Sequence, residues 1–140
     1  MNPDLIEPPY PLQAHLGFAI TDWQCDFCRL ELPLAPFLMN RFGIPHGGIY
    51  ATLLDTAMGF ACGWTGDAGL RQQTLTLSLN VNFLTVSEGR NLIAIGRRVG
   101  GGRKTAFASG EVRDDTDKVI ATASGVFRLG NLNRKPDVGE

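Results

Sequence analysis

The sequence predicts an α+β domain in which one long buried helix is wrapped by a curved antiparallel sheet of about five to six strands. Three features carry that expectation. Residues Ile49 to Cys62 read as a single helix that is apolar on nearly every side, and such a helix is normally buried on nearly every side. From Thr74 to Phe83 polar and apolar residues alternate strictly, the period of a half-buried strand. The strands after it are separated by short turns, and short connections make antiparallel neighbours.

The chain has 140 residues, 44% hydrophobic and 19% charged, with a formal net charge of −1. That balance suits one globular domain long enough to bury a core and argues against disorder. It gives no global attraction to nucleic acid or to an anionic membrane. Met1 to Pro11 is polar and Pro-rich rather than basic and then apolar, so no signal peptide is expected. No apolar run approaches the ~18 residues of a membrane span, and the expected compartment is the cytoplasm. Cys25 and Cys28 have a metal-like or redox-like spacing. Zinc would need two more ligands, with only His15 and His46 available, and a redox pair belongs between a strand and a helix. The cysteines are read as structural, and no metal is expected.

Taken in order, residues 1–12 hold four prolines and are expected to form an extended tail or a docking arm. Leu16 to Ile20 and Trp23 to Leu32 read as strands with a turn at Thr21-Asp22. Pro33 and Pro36 then end regular pairing. After the helix comes a Gly-rich loop from Gly63 to Gly69, and then the alternating strand. Leu75, Leu77, Leu79, Val81 and Phe83 form its apolar face, which should pack on the helix; Thr74, Thr76, Ser78, Asn80 and Asn82 form the other. Further strands are expected at Leu92 to Val99, Arg103 to Val112 and Val119 to Leu129, with turns at Glu88–Asn91, Gly100–Gly102 and Asp114–Asp117. Residues 130–140 are polar and expected to fray. The domain core is thus residues 16–129. A single sheet leaves an edge strand exposed, and pairing of two copies through an edge is a natural outcome.

Asp55 is the only charged residue of the helix, and a carboxylate in an apolar helix is costly unless something satisfies it. It follows Asn40-x-x-Gly43-x-x-His46-Gly47-Gly48 by a short interval. This motif, the helix with Asp55, the strand Leu77 to Phe83, the segment Gly102 to Val112 and the closing Ala121 to Phe127 resemble the hotdog-fold acyl-CoA thioesterases. The similarity is to the branch typified by the phenylacetic-acid-pathway thioesterase, and it spans roughly Leu16 to Arg128.

Gly47 and Gly48 sit where the helix begins, so their N–H groups lack intrahelical partners and, with the helix dipole, can receive a developing oxyanion. The resemblance implies that the Gly47 N–H polarises the thioester carbonyl and that His46 and Asn40 position substrate or water. It also implies that Asp55 attacks the carbonyl or activates water, with a Ser or Thr of the following strand nearby. Thr76 is the first choice for that hydroxyl and Thr74 the second. His46 and Asp55 are nine residues apart, ~13 Å along a helix, which favours a site shared between two copies, as the resemblance also implies. Gly48, Arg97, Arg98, Arg103 and Lys104 are candidates for contacts with coenzyme A, the basic side chains through its phosphates. Coenzyme A is part of the substrate, and no separate cofactor is expected. Bland readings stand beside these roles: a capped structural Asp55, a loop-ending His46, a turn-forming Asn40, tightly packed glycines and a solvated basic face. A non-catalytic acyl-CoA binding or regulatory protein on the same scaffold is the alternative function.

Overall fold

The structure, a computed structural model, describes residues 1–136. Its central element is helix α2, Gly47–Cys62, which begins at His46 in extended conformation and ends at Gly63. Leu53, Leu54, Ala57 and Met58 are fully buried, and burying each of the larger three contributes about 2 kcal/mol. The helix is not covered on all sides, however. Gly48 is exposed, and Ala51, Thr52, Asp55 and Gly59 are half-buried; they lie three or four residues apart and so share one stripe. One sheet wraps only one broad side of a helix, and this stripe is what it leaves.

The sheet has six strands: β1 (Ala19–Gln24), β2 (Phe27–Pro33), β3 (Leu70–Phe83), β4 (Asn91–Gly101), β5 (Thr105–Asp114) and β6 (Val119–Arg134). Their order is β1-β2-β4-β5-β6-β3, and every neighbouring pair is antiparallel. This is the hotdog architecture, with β1 and β3 at the two edges. β3 and β4, expected as neighbours across a short connection, are instead separated, because the chain crosses from the β3 edge to pair β4 with β2 and β5. A row of small residues crosses the sheet beneath α2, where Cys28 pairs with Gly96, Gly96 with Gly110, and Gly110 with Ala123. A Cβ at Gly96 would run into the Ala57–Met58 peptide, so the helix backbone rests directly on β4.

Several expectations are corrected. The alternation of β3 does not present one continuous apolar face to the helix. Thr76 pairs with Phe127, but Ser78 pairs with the adjacent Val126, so Leu77 is an extra residue that reverses the faces. Thr74 and Thr76 face the helix before it, and Leu79, Val81 and Phe83 after it. Leu75 and Leu77 are 48% and 60% exposed. Near the N-terminus, β1 runs through Thr21-Asp22 with a register shift there. The turn lies at Cys25-Asp26 instead, where Asp26 adopts φ 59. Leu16 closes a short helix α1, Pro11–Leu16, whose first position suits proline because no N–H bond is lost there. The arm before it is docked: Leu5 is buried and the Tyr10 hydroxyl lies 2.7 Å from Thr56 Oγ1. At the other end β6 continues to Arg134, pairing Asn133 with Arg71, so residues 130–134 are strand rather than frayed; residues 137–140 lie outside the described residues. Among the described residues no helix is long and apolar enough to cross a membrane.

The cysteines are all free. Cys25 is exposed at the β1–β2 turn, whereas Cys28 is fully buried, and that burial, with the nearby Asp22 charge, pushes its thiol up to about 12.

Candidate active site

Asp55 stands on the open stripe of α2, opposite β3. Thr76 Oγ1 donates to its Oδ1 at 2.6 Å, so of the two threonines considered, Thr76 is the one that reaches the carboxylate. Thr74 lies one turn further along, its Oγ1 3.7 Å from the position a Cβ would take at Gly59. The face reversal at Leu77 makes this possible. It turns two threonines toward the helix side of the sheet, the side that Leu79, Val81 and Phe83 also take, of which Val81 packs against the core while Leu79 and Phe83 stay exposed. A cavity of about 240 Å³ opens beside the carboxylate, lined among others by Tyr10, Thr56, Phe60 and Phe127. Tyr10 is a site residue that no motif signalled, since it arrives from the N-terminal arm across 46 positions of sequence. Burial raises its pKa, its contact with Thr56 lowers it, and the Asp55 charge raises it again.

The start of α2 is arranged around His46. Its Nδ1 accepts from the Gly48 N–H at 2.8 Å, which makes Nδ1 the unprotonated nitrogen and leaves Nε2–H as an outward donor. Gly48 thus spends its N–H inside the chain, while the Gly47 N–H has no acceptor among the described residues. A Cβ at Gly47 would lie 3.2 Å from the Phe83 ring, and one at Gly48 2.9 Å from His46 Nδ1. Both positions therefore favour glycine for close approach. Asn40 Oδ1 accepts from the Phe42 N–H at 2.9 Å and the Ile44 N–H at 3.4 Å. It organises the turn that delivers His46, whose own N–H is held by the Leu38 carbonyl at 2.9 Å. Two donors, Gly47 N–H and His46 Nε2–H, thus gather at the helix N-terminus. Asp55 lies eight residues on, ~12 Å along the axis.

The four basic candidates are not one cluster. Arg97 lies over the Phe27 ring at 4.8 Å, beside Ser109 and Glu111 on the sheet face away from α2. Arg98 donates to the Gly100 and Gly102 carbonyls at 3.2 and 2.8 Å, clasping the triple-glycine segment. Arg103 and Lys104 are exposed at the β4–β5 connection. Of the aromatic residues near the helix, Phe60 lines the cavity, whereas Tyr50 is buried in the core.

Comparison with known proteins bears on this arrangement. A family model described as the thioesterase superfamily matches residues 42–121. The medium/long-chain acyl-CoA thioesterase YigI of Escherichia coli is 25% identical over 135 residues, covering 86% of each chain. A thioesterase family protein from Silicibacter pomeroyi superposes with a TM-score of 0.77 at 27% identity, covering 86% of this chain and 89% of that one. The PaaI protein of the E. coli phenylacetic acid degradation operon has a TM-score of 0.76 at 21% identity, over 86% and 84% of the two chains, a likeness of fold. The helix, the curled six-stranded sheet and the family match agree: the chain belongs to the thioesterase superfamily and is an enzyme with the hotdog fold.

Proposed function

We propose that this protein hydrolyses acyl-CoA thioesters to a free carboxylic acid and coenzyme A, in the cytoplasm and with no cofactor, through active sites formed between two copies. The observation that carries the proposal is the pairing of Thr76 with Asp55 beside a cavity, on a helix whose other end presents an unspent Gly47 N–H. In each site the thioester oxygen would lie on Gly47 N–H and His46 Nε2–H of one copy, a pair of donors aimed at developing negative charge. Asp55 of the other copy, oriented by Thr76, attacks the carbonyl carbon or takes a proton from water that does so. The carbon–sulfur bond breaks and the thiolate leaves protonated as coenzyme A. Where water attacks, the acid is released directly; where Asp55 attacks, a second step has water cleave the acyl–Asp55 anhydride, which releases the acid and restores the carboxylate.

Sharing follows from the ~12 Å between the two halves, too far for one carbonyl. It is favoured by the open stripe of α2 beside Asp55 and by β3, a 14-residue edge strand with Leu75 and Leu77 exposed. Antiparallel pairing of two β3 edges would lay the two stripes together; dimers of such dimers would give a tetramer. Asn40 retains its amide N–H groups for substrate or water. Arg103 and Lys104 have exposed head groups and are the strongest candidates for the phosphates of coenzyme A, ahead of Arg97 and Arg98. Gly48 would contribute by holding His46 in its tautomer. The branch of the family is proposed as the phenylacetic-acid-pathway type, on the Asn40–Asp55 motif.

Release of free thiol from a panel of aryl and alkyl CoA esters tests the proposal. Wild type should turn over at least one ester, and Asp55→Asn should lose at least ~100-fold of kcat with an unchanged fold. Binding of CoA esters without turnover by wild type would assign the protein to the non-catalytic alternative. Equal hydrolysis by both proteins would remove Asp55 from the chemistry.

A further inference from the structure

The cavity beside Asp55 does not end there. It shares Gly59, Phe60 and Thr74 with a second cavity of about 240 Å³ that continues along α2 toward its C-terminus. Along this path the wall carries Gly59 of the helix and Gly63 just past its end, four residues on, so no side chain projects from it at those positions, and Thr74 of β3 lies against both. Trp23 and Phe60 supply apolar walls, and their rings meet edge to face at 5.0 Å. The far end is different in kind. There the N-terminal arm places Glu7, whose side chain is only 15% exposed, 3.5 Å from Arg71 Nε and 3.4 Å from Lys135 Nζ. Lys135 is itself held 5.9 Å over the Trp23 ring.

We infer that the two cavities form one acyl channel, closed by the Glu7–Arg71–Lys135 ion-paired group, and that this stop makes the enzyme selective for medium-length straight acyl chains. The inference rests on the thioesterase reading and names the substrate class of that site. Its length follows from the helix. Asp55 to Gly63 is eight residues, ~12 Å, and an extended chain advances ~1.2 Å per bond, so the channel takes roughly ten carbons beyond the reacting carbonyl. A longer chain would press an apolar end against an ion-paired carboxylate and strip its remaining water, which is strongly unfavourable. The arm therefore has a task beyond stability: it supplies Tyr10 as a wall beside Asp55 and Glu7 as the stop.

The test is kcat/KM across straight-chain acyl-CoA esters of about 4 to 16 carbons for the full-length wild type, Glu7→Ala and Gly59→Ala. Wild type should be most active near 8–10 carbons and fall at least tenfold by 14. Glu7→Ala removes the stop and should raise the ratio of 14-carbon to 10-carbon activity at least tenfold. Gly59→Ala adds a methyl at the waist between the cavities. Its Cβ lies 3.6 Å from the Phe127 ring and 3.7 Å from Thr74 Oγ1, ordinary contacts that the fold tolerates, and the ratio of 10-carbon to 4-carbon activity should fall at least tenfold. A variant that loses structure lowers all lengths together and leaves its ratio unmoved. Active wild type with no length cut-off, or either ratio unmoved in a variant that keeps the wild-type unfolding midpoint, would overturn the channel while leaving the thioesterase reading intact. Absence of turnover on every ester would overturn that reading and the channel with it.

Discussion

The Thr76 hydroxyl donates to Asp55 at 2.6 Å, and a hydrogen bond to a charged group is worth about 1.5–3 kcal/mol. In the proposed mechanism it holds the carboxylate toward the cavity. Thr76→Val should therefore lower kcat by roughly 10- to 100-fold, whereas Thr76→Ser should keep most of it; equal activity in all three proteins would mean that Asp55 needs no such support. Asp114 is a second carboxylate with a different task. It is buried at the β5–β6 turn and accepts from Thr116 Oγ1 at 2.6 Å, and from the Glu88, Thr116 and Lys118 N–H groups. Burial alone would raise its pKa, but those hydrogen bonds overcome it and hold the group well below its ordinary 3.8. Because the folded value is depressed, the stabilisation is present above the ordinary carboxylate range and is lost as pH falls below it. Asp114→Ala should cost about 3 kcal/mol at neutral pH. That difference should shrink in acid, which denaturant titrations at pH 7 and pH 3 would detect.

Among the elements, α2 depends on the sheet offering it a shallow seat. The meeting of Gly96 with the Ala57–Met58 peptide implies that Gly96→Ala lifts the helix from β4, at about 3 kcal/mol of overpacking. A shift of the unfolding midpoint equivalent to less than ~0.5 kcal/mol would mean that the helix is not seated there. The helix and the antiparallel β4-β5-β6 meander were legible in the sequence because each is written in local periodicity and turn residues. The placing of β3 beside β6 rather than β4 was not, since a short connection does not say which edge a strand joins. Nor was the face reversal in β3. An added residue leaves the sequence alternation from Thr74 to Phe83 intact, and only pairing with β6 exposes it. Periodicity therefore put Thr76 on the face away from the helix, while family resemblance put it beside Asp55, and the extra Leu77 reconciles the two. Tyr10 and Glu7 left no signal at all, since an arm read from its prolines says nothing about where it docks. Arg97, Arg98, Arg103 and Lys104 lie close together in sequence around Gly100–Gly102, but Arg97 and Arg98 part in the structure because adjacent residues in a strand face opposite ways.

For the whole molecule, the proposed mechanism has one chain hold two halves of a site at separate points on one helix. The half with donors is Gly47 and His46; the half with the carboxylate is Asp55 and Thr76. The helix stripe and the β3 edge that would join two copies are the surfaces the chain leaves unpaired. A two-fold pairing gives two sites, each with one half from each copy. Co-expression of two inactive variants tests this most directly. Asp55→Asn removes the carboxylate. Gly47→Pro removes the donor N–H at the first helical position, where the backbone tolerates proline and the exposed Phe83 ring, 3.2 Å from the new Cβ, need shift only slightly. In a mixed dimer one site carries both lesions and the other carries neither. With random assembly half of the dimers are mixed, so thiol release should recover to about a quarter of wild type. If the mixture is as inactive as either variant alone although mixed dimers form, the two halves act within one chain and the shared site is wrong.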